Sequence, residues 1–257
     1  MFRLKVALNV LVATFVAHCA SAERPDRFPL GTHPFDAEIQ RAAVQIASMQ
    51  RDIRDYSCIF TKRERVKGKL MGYEQVVLRV RHNPFSVYMY WLSPDTIKGQ
   101  QVVYIEGRND GKMIAQPVGA LGIGGPYHIK PTGPFAMKNQ RYPITSTGML
   151  KMTEQLVQEA KQERKFGETT VKYYQGARVD GRVCTVTEVT HPKRQHFLYH
   201  MARIYIDDER QLPIRLETYL WPPKAGDPLP VLEEYTYSKI KLNNGFTDAD
   251  FVIRKGN

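Results

Sequence analysis

Residues 82–94 read HNPFSVYMYWLSP. The run Phe85–Leu92, set between Pro84 and Pro94, is aromatic and β-branched, a strand composition closed at both ends by strand breakers. A strand with one wet face alternates apolar and polar side chains. Here Phe85, Val87, Met89 and Trp91 fall on one side, and Tyr88, Tyr90 and Leu92 on the other. Both sides are dry. Such a strand needs an apolar interior against one face and a loop or neighbouring segment against the other.

Strand signals extend in both directions from this run. Upstream are Tyr56–Val66 and, after a turn at Gly68, Leu70–His82; downstream, Gln101–Glu106 and Lys112–Gln116 flank the hairpin loop GRNDG. A second series covers Thr169–Val179, the Asp180-Gly181 turn, Arg182–Thr190, His196–Ile206, Leu212–Trp221 and Leu229–Leu242. Two stretches have helical spacing instead. Ile39, Ala43, Ile46, Met49 and Ile53 stripe residues 36–55, and Leu150, Leu156, Val157 and Ala160 stripe residues 149–165, with Ser146 or Thr147 as the expected cap. Between the two series, residues 119–147 carry Gly and Pro throughout without periodicity, the composition of a long functional or mobile loop. The expected fold is mainly β (α+β): about ten antiparallel strands in one curved sheet, with two helices.

Alternation also assigns faces. Cys58 and Phe60 share the dry side of the first strand, and Val76 and Leu78 that of the second; Arg63, Arg65, Lys67, Arg79 and Arg81 fall opposite. Ile204 and Leu216 continue the dry side in the second series. Two helices cover little of so long a sheet, so either it closes on itself or part of its apolar concave side is left for a ligand.

The chain opens with Arg3 and Lys5, an apolar run and Ala20-Ser21-Ala22, the pattern of a signal peptide over 1–22, leaving 23–257 as one exported domain. A net charge of +11 on an exported chain points to an anionic membrane or wall surface rather than nucleic acid, and the five basic residues above are either an ordinary solvated face or its docking patch. Beyond Cys19 in the leader, Cys58 and Cys184 are either a disulfide or two small buried side chains. There is no nucleophile elbow, HExxH, P-loop or zinc-spaced cysteine set. His191, His196 and His200 read as structural rather than as metal ligands, and Asp207-Asp208-Glu209 as a solvated turn rather than a pair of catalytic acids. No cofactor, metal or catalytic residue is expected.

The segment YMYWLSPDTIKGQQVVYIEGRNDGKMIA (88–115) resembles the LolA-like lipoprotein carriers: an aromatic strand, a proline, a strand, a D-G-K turn and another strand. The closing run from ARIYIDD to FTDADF is similar again, and the mature chain also looks like an exported bacterial family of unknown function. The resemblance implies an open half-barrel whose concave apolar face, partly lidded by helices, binds acyl chains without catalysis in the periplasm or cell envelope. By comparison with the carriers, Tyr88 and Tyr90 are expected in the cavity wall with Phe60, Val76, Leu78, Ile204 and Leu216. The expected function is carriage of a lipid, lipoprotein or other amphiphile; the alternative is a sensor or adaptor domain that binds a protein and fills the cavity with side chains.

Overall fold

The computed structural model describes residues 33–254; the signal-peptide reading lies outside them. Helix α1 (Pro34–Asp52) is followed by strands β1 (Asp55–Val66), β2 (Lys69–Leu70), β3 (Glu74–Arg81), β4 (Ser86–Ser93), β5 (Gln101–Ile105), β6 (Met113–Gln116) and β7 (Tyr127–Ile129). Then come helix α2 (Met149–Glu163) and strands β8 (Thr170–Val179), β9 (Arg182–Thr190), β10 (Met201–Asp207), β11 (Pro213–Tyr219) and β12 (Val231–Leu242). The expected strands are all present; β2 and the short β7, formed inside the Gly/Pro-rich segment, are additions.

All pairings are antiparallel in one curved, open sheet of order β7-β6-β5-β4-β3-β1-β12-β11-β10-β9-β8, with β2 attached to β1. Each half is an antiparallel meander, and the long strands β1 and β12 pair along the middle. The edge strands β7 and β8 do not pair with each other, so the sheet stays open. The chain must therefore travel from one edge to the other between them. It does so across the concave side, and α2 is part of that crossing.

α1 begins with a reciprocal cap: His33 Nδ1 accepts from the Phe35 N–H at 3.0 Å, and Asp36 accepts from the His33 N–H at 3.2 Å. α2 starts differently from expectation. Its N-cap is Gly148 at φ +113°, without a side-chain cap, and the Tyr56 hydroxyl accepts the first helical N–H, from Met149, at 3.0 Å. A Cβ at residue 148 would lie 2.9 Å from that hydroxyl. Neither Ser146 nor Thr147 reaches the position because this close approach of helix and strand admits glycine.

Phe85, Val87, Met89 and Trp91 join the main core on the concave side. Tyr88 and Tyr90 do not line the cavity. They lie on the outer face in a separate cluster with Val103, Ile105, Phe246, Phe251 and Ile253. The segment after β12 turns where the Asp55 carboxylate accepts the N–H groups of Asn244, Gly245 and Phe246 at 2.6, 3.1 and 3.2 Å. It then runs back over β3–β5, and Gln101 holds its end by bonding both the carbonyl (2.7 Å) and the N–H (2.9 Å) of Arg254.

The basic outer face is correspondingly not a free patch. Arg79 donates to the Asp250 carbonyl at 3.1 Å, and Arg81 to the Asp248 carboxylate at 2.7 Å. Arg63 lies 3.8 Å from Glu234 with its guanidinium over Tyr73. Arg65 bonds the carbonyls of Val231 and Gly68. Of the five, Lys67 in the β1–β2 turn is exposed.

Cys58 and Cys184 are both buried and free. β12, β11 and β10 separate their strands. The register also places them on opposite sides of the pleat: Phe60, and hence Cys58, aligns with Tyr237, whereas Thr187 aligns with that side and Cys184 with the other. The two small buried side chains, not the bridge, describe this protein.

Candidate functional site: a cavity on the concave side

A cavity of about 380 Å³ lies between the sheet, α2 and the 117–148 segment. Its sheet wall is built from one parity of each strand: Phe60 on β1, Met89 and Trp91 on β4, Val102 on β5, Leu216 on β11 and Tyr235 on β12. Ile129, Ala136 and Ile144 of the crossing segment close it from above, with Met152 and Leu156 of α2. Of the residues expected in the wall, Phe60 and Leu216 line it. Val76 and Leu78 share the face but are wholly packed, each 0% exposed.

On the far side of α2 a second cavity, about 800 Å³, opens between α1, α2 and β8–β11. Ile204 lies there, with Tyr173, Val189 and Tyr199. Leu156 borders both cavities, so α2 divides one concave surface into two compartments.

One side of the first cavity is charged. Lys62, Glu64 and Glu233 are each 5% exposed, on strand positions that share the face of Phe60 and Tyr235. Lys62 Nζ lies 3.4 Å from Glu64 and 3.9 Å from Glu74, and it donates to the Gln140 side chain. The Trp91 indole N–H donates to Glu74 at 2.7 Å. Tyr235 donates its hydroxyl to Glu64 at 2.7 Å. Arg141 completes the set, donating its backbone N–H to Glu64 at 3.0 Å and its guanidinium to Glu233 at 2.8 Å. Burial pushes the Glu233 carboxyl above the ordinary carboxylate range, Arg141 opposes this, and the nearby Glu64 adds to the rise.

The network ties the crossing segment to the sheet at Gln140, Arg141 and Tyr142. Its charged groups are engaged with one another, so it holds the strap over the cavity. Lys62 and Glu64 escape a reading that looks for uniformly apolar faces. Their even numbering, shared with Cys58 and Phe60, was the available signal.

The histidines have structural surroundings. His200 Nδ1 lies 2.8 Å from the His191 carbonyl oxygen, His191 stacks on Phe197 at 4.2 Å beside Glu163, and His196 stacks on Phe166 at 3.6 Å. Among the described residues no three His, Cys, Asp or Glu side chains group as a metal site. Of the three acids read as a solvated turn, Asp208 and Glu209 are exposed, but Asp207 ends β10 and is buried, accepting from Arg182 and from the N–H groups of Glu209 and Arg210 at 3.0 and 3.1 Å.

Residues 53–256 match the family model described as Protein of unknown function (DUF1571). The chain belongs to that family. The match covers β1 through the segment after β12, so the whole sheet is the family domain. Comparison with curated proteins finds no match. Similar solved structures include a putative outer membrane lipoprotein-sorting protein domain from Vibrio parahaemolyticus, at 10% identity and TM-score 0.39, covering 83% of this chain and 95% of that one. The lipoprotein LppX from Mycobacterium tuberculosis aligns at 14% identity and TM-score 0.45, covering 82% and 98%. A LolA superfamily protein from Nitrosomonas europaea aligns at 9% identity and TM-score 0.35, covering 83% and 97%. At these scores the likeness is loose, and what the site can do follows from its own geometry.

Proposed function

We propose that this protein is an exported, non-enzymatic binding protein that carries a lipid, a lipoprotein acyl chain or another amphiphile through the cell envelope. One observation carries the reading: the apolar wall of Phe60, Met89, Trp91, Val102 and Leu216 faces a cavity of about 380 Å³ that side chains do not fill. A protein-binding sensor of this shape has no need to keep such a wall unpacked, because a void loses dispersion contacts and apolar burial. An acyl chain entering it is stabilised by about 0.8 kcal/mol per methylene, so eight methylenes supply roughly 6 kcal/mol before association costs. The basic, apolar and small-residue leader over 1–22 supports export, and among the described residues no helix is long and apolar enough to cross a membrane.

Native mass spectrometry of the protein purified from the envelope fraction tests this. A co-purified amphiphile that leaves on organic extraction is the expected result. Uniformly ligand-free protein that also ignores a fluorescent fatty-acyl probe would replace the carrier reading with the sensor reading.

A further inference from the structure

The four large apolar side chains most exposed around the first cavity all belong to the crossing segment: Ile123 at 88%, Phe135 at 59%, Leu121 at 58% and Tyr127 at 37%. Leu121 and Phe135 also line the cavity, so the exposed patch is continuous with the apolar interior. The geometry presenting it is braced. Residues 119–124 form a 3-10 turn; Gln116 donates its side-chain N–H to the carbonyls of Pro117 (3.2 Å) and Gly122 (3.1 Å), and the Tyr127 hydroxyl donates to the Leu121 carbonyl at 3.0 Å. A Cβ at Gly124 would meet that hydroxyl at 2.5 Å. Ile123 is thus held outward by its neighbours.

The segment itself carries charge of one sign. Residues 111–153 contain no Asp or Glu, while Lys112, Lys130, Lys138, Arg141 and Lys151 fall within them. Lys130 and Lys138 are exposed beside the patch, and neither has a side-chain partner among the described residues. Exposed apolar side chains flanked by unpaired cations, with no carboxylate between them, suit the boundary layer of an anionic bilayer, where apolar groups reach the acyl region and lysines meet phosphates. A bilayer of anionic lipids offers phosphates across the whole patch, whereas a protein partner has to place a carboxylate opposite each lysine.

We infer that residues 119–138 are the surface by which this protein docks on anionic phospholipid bilayers, with Ile123 as the inserted side chain and Lys130 as a headgroup contact. The docked orientation puts the cavity mouth against the membrane. The inference builds on the carrier reading for its purpose but not for its physics, and the two separate experimentally.

Co-sedimentation with vesicles of phosphatidylcholine alone and of phosphatidylcholine with phosphatidylglycerol, beside titration of a fluorescent fatty-acyl probe free of vesicles, tests it. Wild type is expected to pellet with the anionic vesicles and to be released by salt. Ile123→Ser should weaken partitioning at least tenfold, the loss expected for one apolar side chain, and Lys130→Gln about fivefold. Neither residue lines the cavity, so both variants should bind the probe as wild type does. Folded wild type that binds the probe but no vesicles, or Ile123→Ser that pellets like wild type, overturns docking and leaves carriage standing. Vesicle binding without probe binding retains docking and removes carriage. A dimer in solution abolished by Ile123→Ser, with no vesicle binding, would make a second copy the occupant of this surface and overturn the inference.

Discussion

Arg81 on β3 donates to the Asp248 carboxylate at 2.7 Å across 167 residues of chain, and its guanidinium lies 4.9 Å over the ring of Phe251. That pair fastens the last described segment over the outer face of Phe85–Leu92. It explains why a strand in the middle of a half-sheet is dry on both sides: Trp91 and Met89 face the cavity, while Tyr88 and Tyr90 face Phe246 and Phe251.

The apolar part of this clasp should dominate its energy. Phe251→Ala, at a side chain 2% exposed, is expected to destabilise the protein by about 3–5 kcal/mol. Asp248→Asn, at a half-exposed ion pair screened by solvent, should cost far less. Urea unfolding monitored by far-UV circular dichroism measures both.

Acid should loosen the same segment. The hydrogen bond from Arg81 holds the Asp248 carboxyl below its ordinary value, and the Thr247 N–H does so for Asp250. A carboxylate with a depressed folded pKa binds fewer protons folded than unfolded. Its stabilisation is therefore full above about pH 4 and is lost as the pH falls through the folded values. Protection of residues 246–254 against hydrogen exchange, taken relative to the intrinsic rate at each pH, should fall over that window, and Asp248→Asn should flatten the response.

Gly148→Ala should cost about 1–3 kcal/mol, since residue 148 holds φ +113° and the new Cβ would meet the Tyr56 hydroxyl at 2.9 Å. Tyr56→Phe removes the acceptor of the Met149 N–H and should cost about 1 kcal/mol. In the double variant the two costs should not add, because Tyr56→Phe deletes the oxygen that the alanine strikes. Thermal melts of the four proteins check the cycle.

Filling the cavity should block the ligand. Leu156 borders both compartments, so Leu156→Trp is expected to lower the affinity for a fluorescent fatty-acyl probe at least tenfold. Tyr90→Phe, on the outer face, should leave it unchanged. In Trp221→Phe protein the remaining indole is Trp91, bonded to Glu74 in the cavity wall. Its emission should shift on binding, and a spectrum indifferent to saturating probe would place the ligand elsewhere.

Local rules determined much of this protein by themselves. The period of two marked each long strand and grouped Phe60, Val76, Leu78, Ile204 and Leu216 on one side of the sheet, because neighbouring strands in register share a face. The stripe through Met149–Glu163 marked α2, and the Gly/Pro content marked the crossing segment as irregular. Tertiary structure decided which side is concave. Alternation cannot tell Met89 and Trp91 from Tyr88 and Tyr90, since both sets are apolar; that was settled by α2 crossing one face and the residues after β12 returning over the other. The same long-range return turned Arg79 and Arg81 from a basic surface into anchors for Asp250 and Asp248. It was likewise burial, not residue type, that set Lys62, Glu64 and Glu233 inside the wall, because a charge enters an interior only where the fold brings it partners from distant strands and from the strap at Arg141.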